Sequence, residues 1–461
     1  MHEQGGFTTR PYWQPDLTGG CDLSFVDAAR ELSVRLRETI ALCLKSDVEV
    51  GAFLSGGLDS SLIVALMAEH GAQLQTFTVG YRGAARGFNE LDYAHQVARQ
   101  VGTQHHELII EATSNIELLP RVIWHFDEPL AEPTAVLVYI LCEFARQRVK
   151  VALGGTGGDE TFFGYPRHAG IRLLERYRLL PSILRRQLIE RLLRHLPEST
   201  RGSRLAKRVK RFVASADLPA SEAYLVWTNL FRPEIRAELL SATLRSAATD
   251  SAGDAFMRTV LLDAANDRNL LARAAELDVR HYLPEFQLTY MDRMSMAHGL
   301  EVRAPLCDYR LVDFVLSLPA EYRLNGTRSK HILKAVARRW LPHGIVERRK
   351  VGFDSPVGQW FKDELREFML RFLSRDHIEQ SGLLNYAGVE RVIGEHLAGR
   401  RDHSLQLWSL LVLEAWYRMY IEDGVTDASD YRLSDLRGAV DGHVPGRLRP
   451  RSRATASAPV G

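Results

Sequence analysis

One stretch limits the fold of this chain more than any other: Leu54-Ser55-Gly56-Gly57-Leu58-Asp59-Ser60-Ser61. It follows the apolar run Val48-Glu49-Val50-Gly51-Ala52-Phe53 and opens a segment of helical character at residues 60–70. A strand, a glycine-rich turn and a helix in succession suit a polyphosphate. Two glycines let the backbone come close, Ser hydroxyls and backbone N–H groups donate to phosphate oxygens, and the helix N-terminus favours negative charge. Asp59 would oppose the anion unless it holds a cation, which makes it a candidate Mg²⁺ ligand. A Ser/Gly turn in which Asp59 merely caps the helix is the simpler alternative; the whole octet in this context favours a nucleotide. The chain has no Gly-x-x-x-x-Gly-Lys-[Ser/Thr], so this is not the usual P-loop.

The alternation continues along the chain. Residues 75–79, 106–110 and 149–153 read as strands, and residues 25–43, 89–101 and 134–147 as helices. The predicted fold class is therefore α/β, a parallel sheet with helices on both faces. Ligands in such sheets sit beyond the carboxyl ends of the strands. A second glycine turn, Gly154-Gly155-Thr156-Gly157-Gly158-Asp159-Glu160, lies at such an end, and Asp159 is a second candidate Mg²⁺ ligand. Three parts are expected. Residues 1–20 form a linker-like arm, and residues 21–425 one domain with an α/β core at about 46–165 and an α-rich layer at about 166–425. Residues 430–461 read as a disordered basic tail.

Composition narrows the function. Across 461 residues, Lys+Arg 59 against Asp+Glu 57 leaves a net charge of +2, which argues against wholesale nucleic-acid or membrane binding. Four widely separated cysteines exclude a disulfide framework, a zinc knuckle or a dithiol redox site. No apolar run approaches the roughly 20 residues of a membrane span, and a cytoplasmic location is expected. Residues 172–211 carry 13 Lys/Arg against 3 Glu, which reads as a solvated helical face or a dock for an acidic carrier protein or peptide. The pair His105-His106 has no metal-type ligands at useful sequence spacing and reads as structural.

Taken together, the motifs resemble a known family. The octet resembles the pyrophosphate loop of N-type ATP pyrophosphatases, of the adenine nucleotide alpha hydrolase-like fold. The whole set is similar to the synthetase domain of glutamine-dependent asparagine synthetases, with the related β-lactam synthetases and lasso-peptide cyclases. The matching stretches are the octet, Thr76-Phe77-Thr78-Val79-Gly80, Phe88-Asn89-Glu90, Gly102-Thr103-Gln104-His105-His106-Glu107, Asp127-Glu128-Pro129 and Gly157-Gly158-Asp159-Glu160. Further on come the run from Asp292-Arg293-Met294-Ser295 to Glu301-Val302-Arg303-Ala304-Pro305, and Arg349-Lys350-Val351-Gly352-Phe353. They span roughly residues 12–425 in the family's order. The resemblance implies that Leu54, Val79, Gly154 and Gly155 line an adenosine site and that Ser55, Gly56, Gly57, Ser60 and Ser61 cradle pyrophosphate. It further implies that Asp59 and Asp159 hold Mg²⁺ and that Lys350 faces the phosphates. Glu301 and Arg303 fall in a polar segment expected to form a substrate-facing wall.

What the resemblance implies is an ATP- and Mg²⁺-dependent carbon–nitrogen ligase. A carboxylate such as aspartate or a more specialised acid or peptide is adenylated with pyrophosphate release, and ammonia or an amine then displaces AMP. Two departures bear on this. Residue 2 is His2, not the Cys nucleophile of an amidohydrolase domain, and Tyr12-Trp13-Gln14-Pro15 resembles the linker that follows that domain. Nitrogen is then expected from free ammonia, a separate glutaminase subunit or an amine of the substrate. Thr156 stands where asparagine-forming members carry a carboxylate base, and an alkyl hydroxyl cannot accept that proton at neutral pH. A macrolactam- or β-lactam-type cyclase and a catalytically silent ATP-binding subunit that scaffolds a partner are the alternatives. Tightly spaced cysteines are absent, which counts against sulfur-transferring tRNA-modifying relatives.

Overall fold

In the computed structural model, the described residues are 10–15, 20–71, 73–82, 89–111, 116–181, 183–185, 205–247, 257–261, 270–348, 355–427 and 433. The expectations for residues 1–9 and for the basic tail at 430–432 and from 434 onward lie outside them, as does the 186–204 part of the basic segment.

The elements begin with helix α1 (Phe25–Cys43), which starts where Ser24 Oγ accepts the Asp27 N–H at 3.2 Å. Its buried residues Ala28, Leu32, Leu36 and Ile40 recur every four positions, so one stripe faces the core. Strand β1 (Val50–Phe53) leads into α2 (Leu58–Ala68), β2 (Gln75–Tyr81) into α3 (Leu91–Val101), and β3 (Gln104–Ile110) follows. After two more helices, Leu119–Phe126 and Thr134–Arg146, comes β4 (Val151–Leu153). These agree closely with the strands and helices read from the sequence.

All strand pairs are parallel, in the order β3-β2-β1-β4-β5. The fifth strand is Glu301–Arg303, from the segment read as helical layer and polar wall, with Val302 opposite Ala152. The chain builds outward from β1 in one direction and then returns to add β4 on the other side, so a crevice opens where the order reverses.

Alternation along β2 assigns the two faces. Phe77, Val79 and Tyr81 pack with Phe53, the Thr134–Arg146 helix and the C-terminal helix Ser404–Tyr417 in one apolar layer. On the other side, α1, α2 and α3 pack with the helices Tyr309–Ser317 and His331–Ala337 around Leu32, Leu62 and Val97. Helices therefore cover both faces, as expected. No described helix is long and apolar enough to cross a membrane.

Candidate active site

The two glycine turns lie side by side because their strands do: Ala52 of β1 pairs with Leu153 of β4. In the first turn Gly56 adopts φ +72°, a left-handed conformation that favours glycine. A Cβ there would stand 2.6 Å from Ala94 N and Tyr93 Cβ, so the loop is pressed against the first turn of α3. The Ser55 and Ser60 hydroxyls lie 3.0 Å apart, the Gly57 N–H donates to Ser55 Oγ at 3.3 Å, and Ser60 Oγ donates to Gly57 O at 3.3 Å. Asn89 ties α3 to the end of β2, accepting the Tyr81 N–H at 2.6 Å and donating to Tyr81 O at 3.0 Å. In the second turn, a Cβ on Gly158 would come within 2.7 Å of Asp59 Cγ. Glycine here is what lets the two acidic turns close on one another.

Lys330 joins them, and no sequence pattern singles it out. It sits at φ +53° at the start of the His331–Ala337 helix, with its N–H donating to Phe162 O at 3.2 Å. The buried ammonium forms an ion pair with Asp159 Oδ1 at 2.6 Å and donates to Asp59 Oδ2. Burial alone would lower its pKa, but the charges of Asp159 and then Asp59 outweigh burial and hold it above the ordinary lysine value. Two carboxylates converging on one cation are a hard oxygen donor set, the kind Mg²⁺ shares with phosphate oxygens, so Asp59 and Asp159 fit that ion.

A cavity of about 490 Å³ opens over both turns, within the usual size of a small-molecule site. Leu54, Ser55, Gly57, Asp59 and Ser60 line it from one side, and Gly154, Gly155, Thr156 and Asp159 from the other. Three of the expected nucleotide residues do not line it. Gly56 acts through its backbone. Ser61 is on the buried face of α2, its hydroxyl without a hydrogen-bond partner. Val79 packs in the apolar layer with Phe77 and Tyr81; Phe77 of that same face, and Thr78, line the cavity.

Glu301 and Arg303 are also elsewhere. They lie on the edge strand, where Arg303 Nε meets Glu301 Oε1 at 2.6 Å and Arg303 Nη1 donates to Cys43 O at 2.7 Å and Lys45 O at 2.8 Å. The Glu301 side chain is 57% exposed, so this pair fastens β5 to the end of α1 and does not face the cavity. Lys350 lies outside the described residues, but Arg348 lines the cavity. Its guanidinium stands 3.7 Å from the Tyr93 ring centroid, 2.5 Å from Glu90 Oε1, and donates to Gly56 O at 3.3 Å.

The far wall comes from just upstream of the expected segment: Tyr282 and Gln287 of the π-helical turn Asp278–Leu288, and Tyr290 and Met291 of the helix Thr289–Met296. Arg293 instead pairs with Asp127 at 3.1 Å on the surface. Behind the wall is a buried polar network. Asp278 accepts from Arg167 Nη2 at 2.9 Å and Tyr224 OH at 3.2 Å, with His168 Nε2 at 2.8 Å. Burial would raise the Asp278 pKa, yet the Arg167 charge and the His168 contact keep it below the usual carboxylate value. The described part of the basic segment is similarly engaged: Lys207 pairs with buried Asp402 at 3.0 Å and Arg172 with Glu321 at 2.9 Å.

A parallel sheet with paired glycine turns at adjacent strand ends defines the adenine nucleotide alpha hydrolase-like class. Within it, the chain belongs to the asparagine synthase family, whose model matches residues 31–418. It is 28% identical over 393 residues to asparagine synthetase [glutamine-hydrolyzing] 1 of Bacillus subtilis, covering 85% of this chain and 60% of that protein. It is 31% identical over 404 residues to a putative asparagine synthetase [glutamine-hydrolyzing] of Mycobacterium tuberculosis, covering 87% and 59%. Amidase chyE of Penicillium rubens is 24% identical over 422 residues, with 83% and 61% covered. The chain thus spans about 60% of the length of the curated relatives it matches.

Proposed function

We propose that the chain is an ATP-dependent amide-forming ligase that activates a carboxylate as its adenylate. The observation that carries this reading is the pairing of Asp59 and Asp159 through Lys330 at the mouth of two adjacent glycine turns. The Ser55-Gly56-Gly57 turn and the first N–H groups of α2 offer donors to a pyrophosphate. Mg²⁺ held by Asp59 and Asp159 would offset charge on the phosphates when bound. Lys330 and Arg348, fixed before substrate arrives, favour the charge that develops as pyrophosphate departs, and Lys350 is assigned to the same task.

In the second half-reaction a nitrogen nucleophile loses a proton and displaces AMP. Thr156 lines the cavity but cannot take that proton. Glu132 lines the cavity beside the wall tyrosines Tyr282 and Tyr290, whose pKa values are raised chiefly by burial and further by the Glu132 charge, and it is assigned that role. Aspartate is the default acceptor by similarity to relatives named asparagine synthetases, and ammonia or an amine the default nucleophile.

The experiment is exchange of labelled pyrophosphate into ATP with Mg²⁺ and aspartate, followed by amide formation with ammonium. Asp59→Asn should abolish exchange, whereas Glu132→Gln should keep exchange and lose amide product. Unchanged exchange in Asp59→Asn overturns the assignment. Tight ATP binding with no exchange across a broad panel of carboxylates would instead support a scaffolding subunit.

A further inference from the structure

We propose that His95, His105 and Glu107 form a binding site for a divalent transition-metal ion, best suited to Zn²⁺, that pins α3 to the edge strand of the sheet. The three residues come from different elements. His105 and Glu107 are two positions apart on β3 and so share a face, and His95 is in the middle of α3, which covers that face. One ligand atom from each falls within 4.8 Å of the others. Glu107 Oε1 stands 2.7 Å from His95 Nε2 and 3.6 Å from His105 Nε2.

The polar satisfaction of the cluster points to a missing occupant. His105 is over nine-tenths buried, its side chain 8% exposed, and its Nε2 is buried with no hydrogen-bond partner. Glu107 Oε1 is likewise buried and unbonded, although two imidazoles crowd it. The other ring nitrogen of His105 is accounted for: Nδ1 lies 2.9 Å from Thr76 Oγ1, which in turn lies 2.8 Å from Thr103 Oγ1. With Nδ1–H donating to that hydroxyl, the Nε2 lone pair is aimed into the cluster. This is the outer-shell arrangement that orients metal-binding histidines.

Spacing supports the same occupant. Ligands about 2.0–2.1 Å from a tetrahedral ion are about 3.3 Å apart. The 3.6 Å approach of His105 to Glu107 is close to this. The 2.7 Å approach of His95 must open slightly, which its half-exposed side chain permits. Two imidazoles and a carboxylate, leaving a fourth position for water, suit Zn²⁺ better than Mg²⁺ or Ca²⁺, which prefer all-oxygen sets. An ion here would hold α3 immediately behind Ala94, the residue against which Gly56 of the first glycine turn is pressed.

The test uses the full chain without an affinity tag, stripped with chelator and titrated with Zn²⁺ in excess Mg²⁺, so that the Asp59/Asp159 carboxylates are not read. Co²⁺ serves as a spectroscopic stand-in. One Zn²⁺ per chain, a raised thermal midpoint and the intense visible bands of tetrahedral Co²⁺ are expected. His95→Ala and Glu107→Gln, both at partly exposed positions, should each weaken binding by about tenfold or more and lose the Co²⁺ bands, with the metal-free midpoint unchanged. No stoichiometric Zn²⁺ uptake, or uptake undiminished in both variants, overturns the proposal. Because neither measurement depends on ligase activity, the result stands apart from that reading.

Discussion

Replacing Lys330 with Met keeps the alkyl stem and removes the charge that joins the two acidic turns. At 2.6 Å, one ammonium–carboxylate contact amounts to about 6 kcal/mol at an effective dielectric constant of about 20. Desolvating the ions consumes several kcal/mol of this, and removing one partner of a buried pair typically costs about 3–5 kcal/mol because the remaining charge is stranded. Here two carboxylates are stranded together, but their side chains keep 18% and 21% exposure to the cavity, which places the loss near the lower end, about 3 kcal/mol. Mg²⁺ can take the ammonium's place, so the variant should regain most of this loss in saturating Mg²⁺, whereas the wild type should gain little. Urea unfolding in chelator and in Mg²⁺ reads both quantities. Pyrophosphate exchange should fall by about 10²–10³-fold even where Mg²⁺ has restored stability, as for loss of a preorganised charge-stabilising donor. A variant as stable as wild type in chelator, with the same Mg²⁺ response, would refute the reasoning.

Two further predictions concern buried acids away from the turns. Asp278→Ala strands the buried Arg167 guanidinium and should cost about 3–5 kcal/mol, read as a lowered urea midpoint, while Asp278→Asn should cost less. Glu414, within hydrogen-bond reach of Ser381 at 3.0 Å, is pushed up to about 7 by burial, against the opposing effects of Ser381 and Arg418. Because its folded pKa is raised, its contribution is fully present below the unfolded value near 4.5 and is lost as pH rises through about 7. That amounts to about 3 kcal/mol at about 1.36 kcal/mol per pH unit, and Glu414→Gln should be flatter over this window. Equal pH slopes for the two proteins would count against it.

Much of the frame was legible because β1 and β4 are short apolar runs closed by glycine, so they and both acidic turns stand out from the chain. The fifth strand does not, since Glu301-Val302-Arg303 is short, polar and half-exposed at an edge. Val79 shares a face of β2 with Phe77, yet only Phe77 reaches the cavity, so which residue of an alternating strand meets the site is decided by what packs over it and not by the alternation. Lys330 follows a loop without periodicity, and only the fold brings it to Asp59 and Asp159. The His95 cluster was hidden for the same reason. Its ligands are two and ten residues apart, a spacing that has no meaning until α3 folds back over β3.

The crevice has unequal freedom on its two sides. The side carrying the two glycine turns is built on neighbouring strands whose separation is fixed at about 4.8 Å by their hydrogen bonds, so a shift of either turn disturbs the sheet itself. The opposite side, carrying Tyr282, Gln287, Tyr290 and Met291, belongs to helices that contribute no ladder to that sheet. Changes there can reshape one end of the cavity while the end over the glycine turns keeps its dimensions. On the proposed reading, remodelling that one wall diversifies the acids accepted while the activation chemistry is inherited intact.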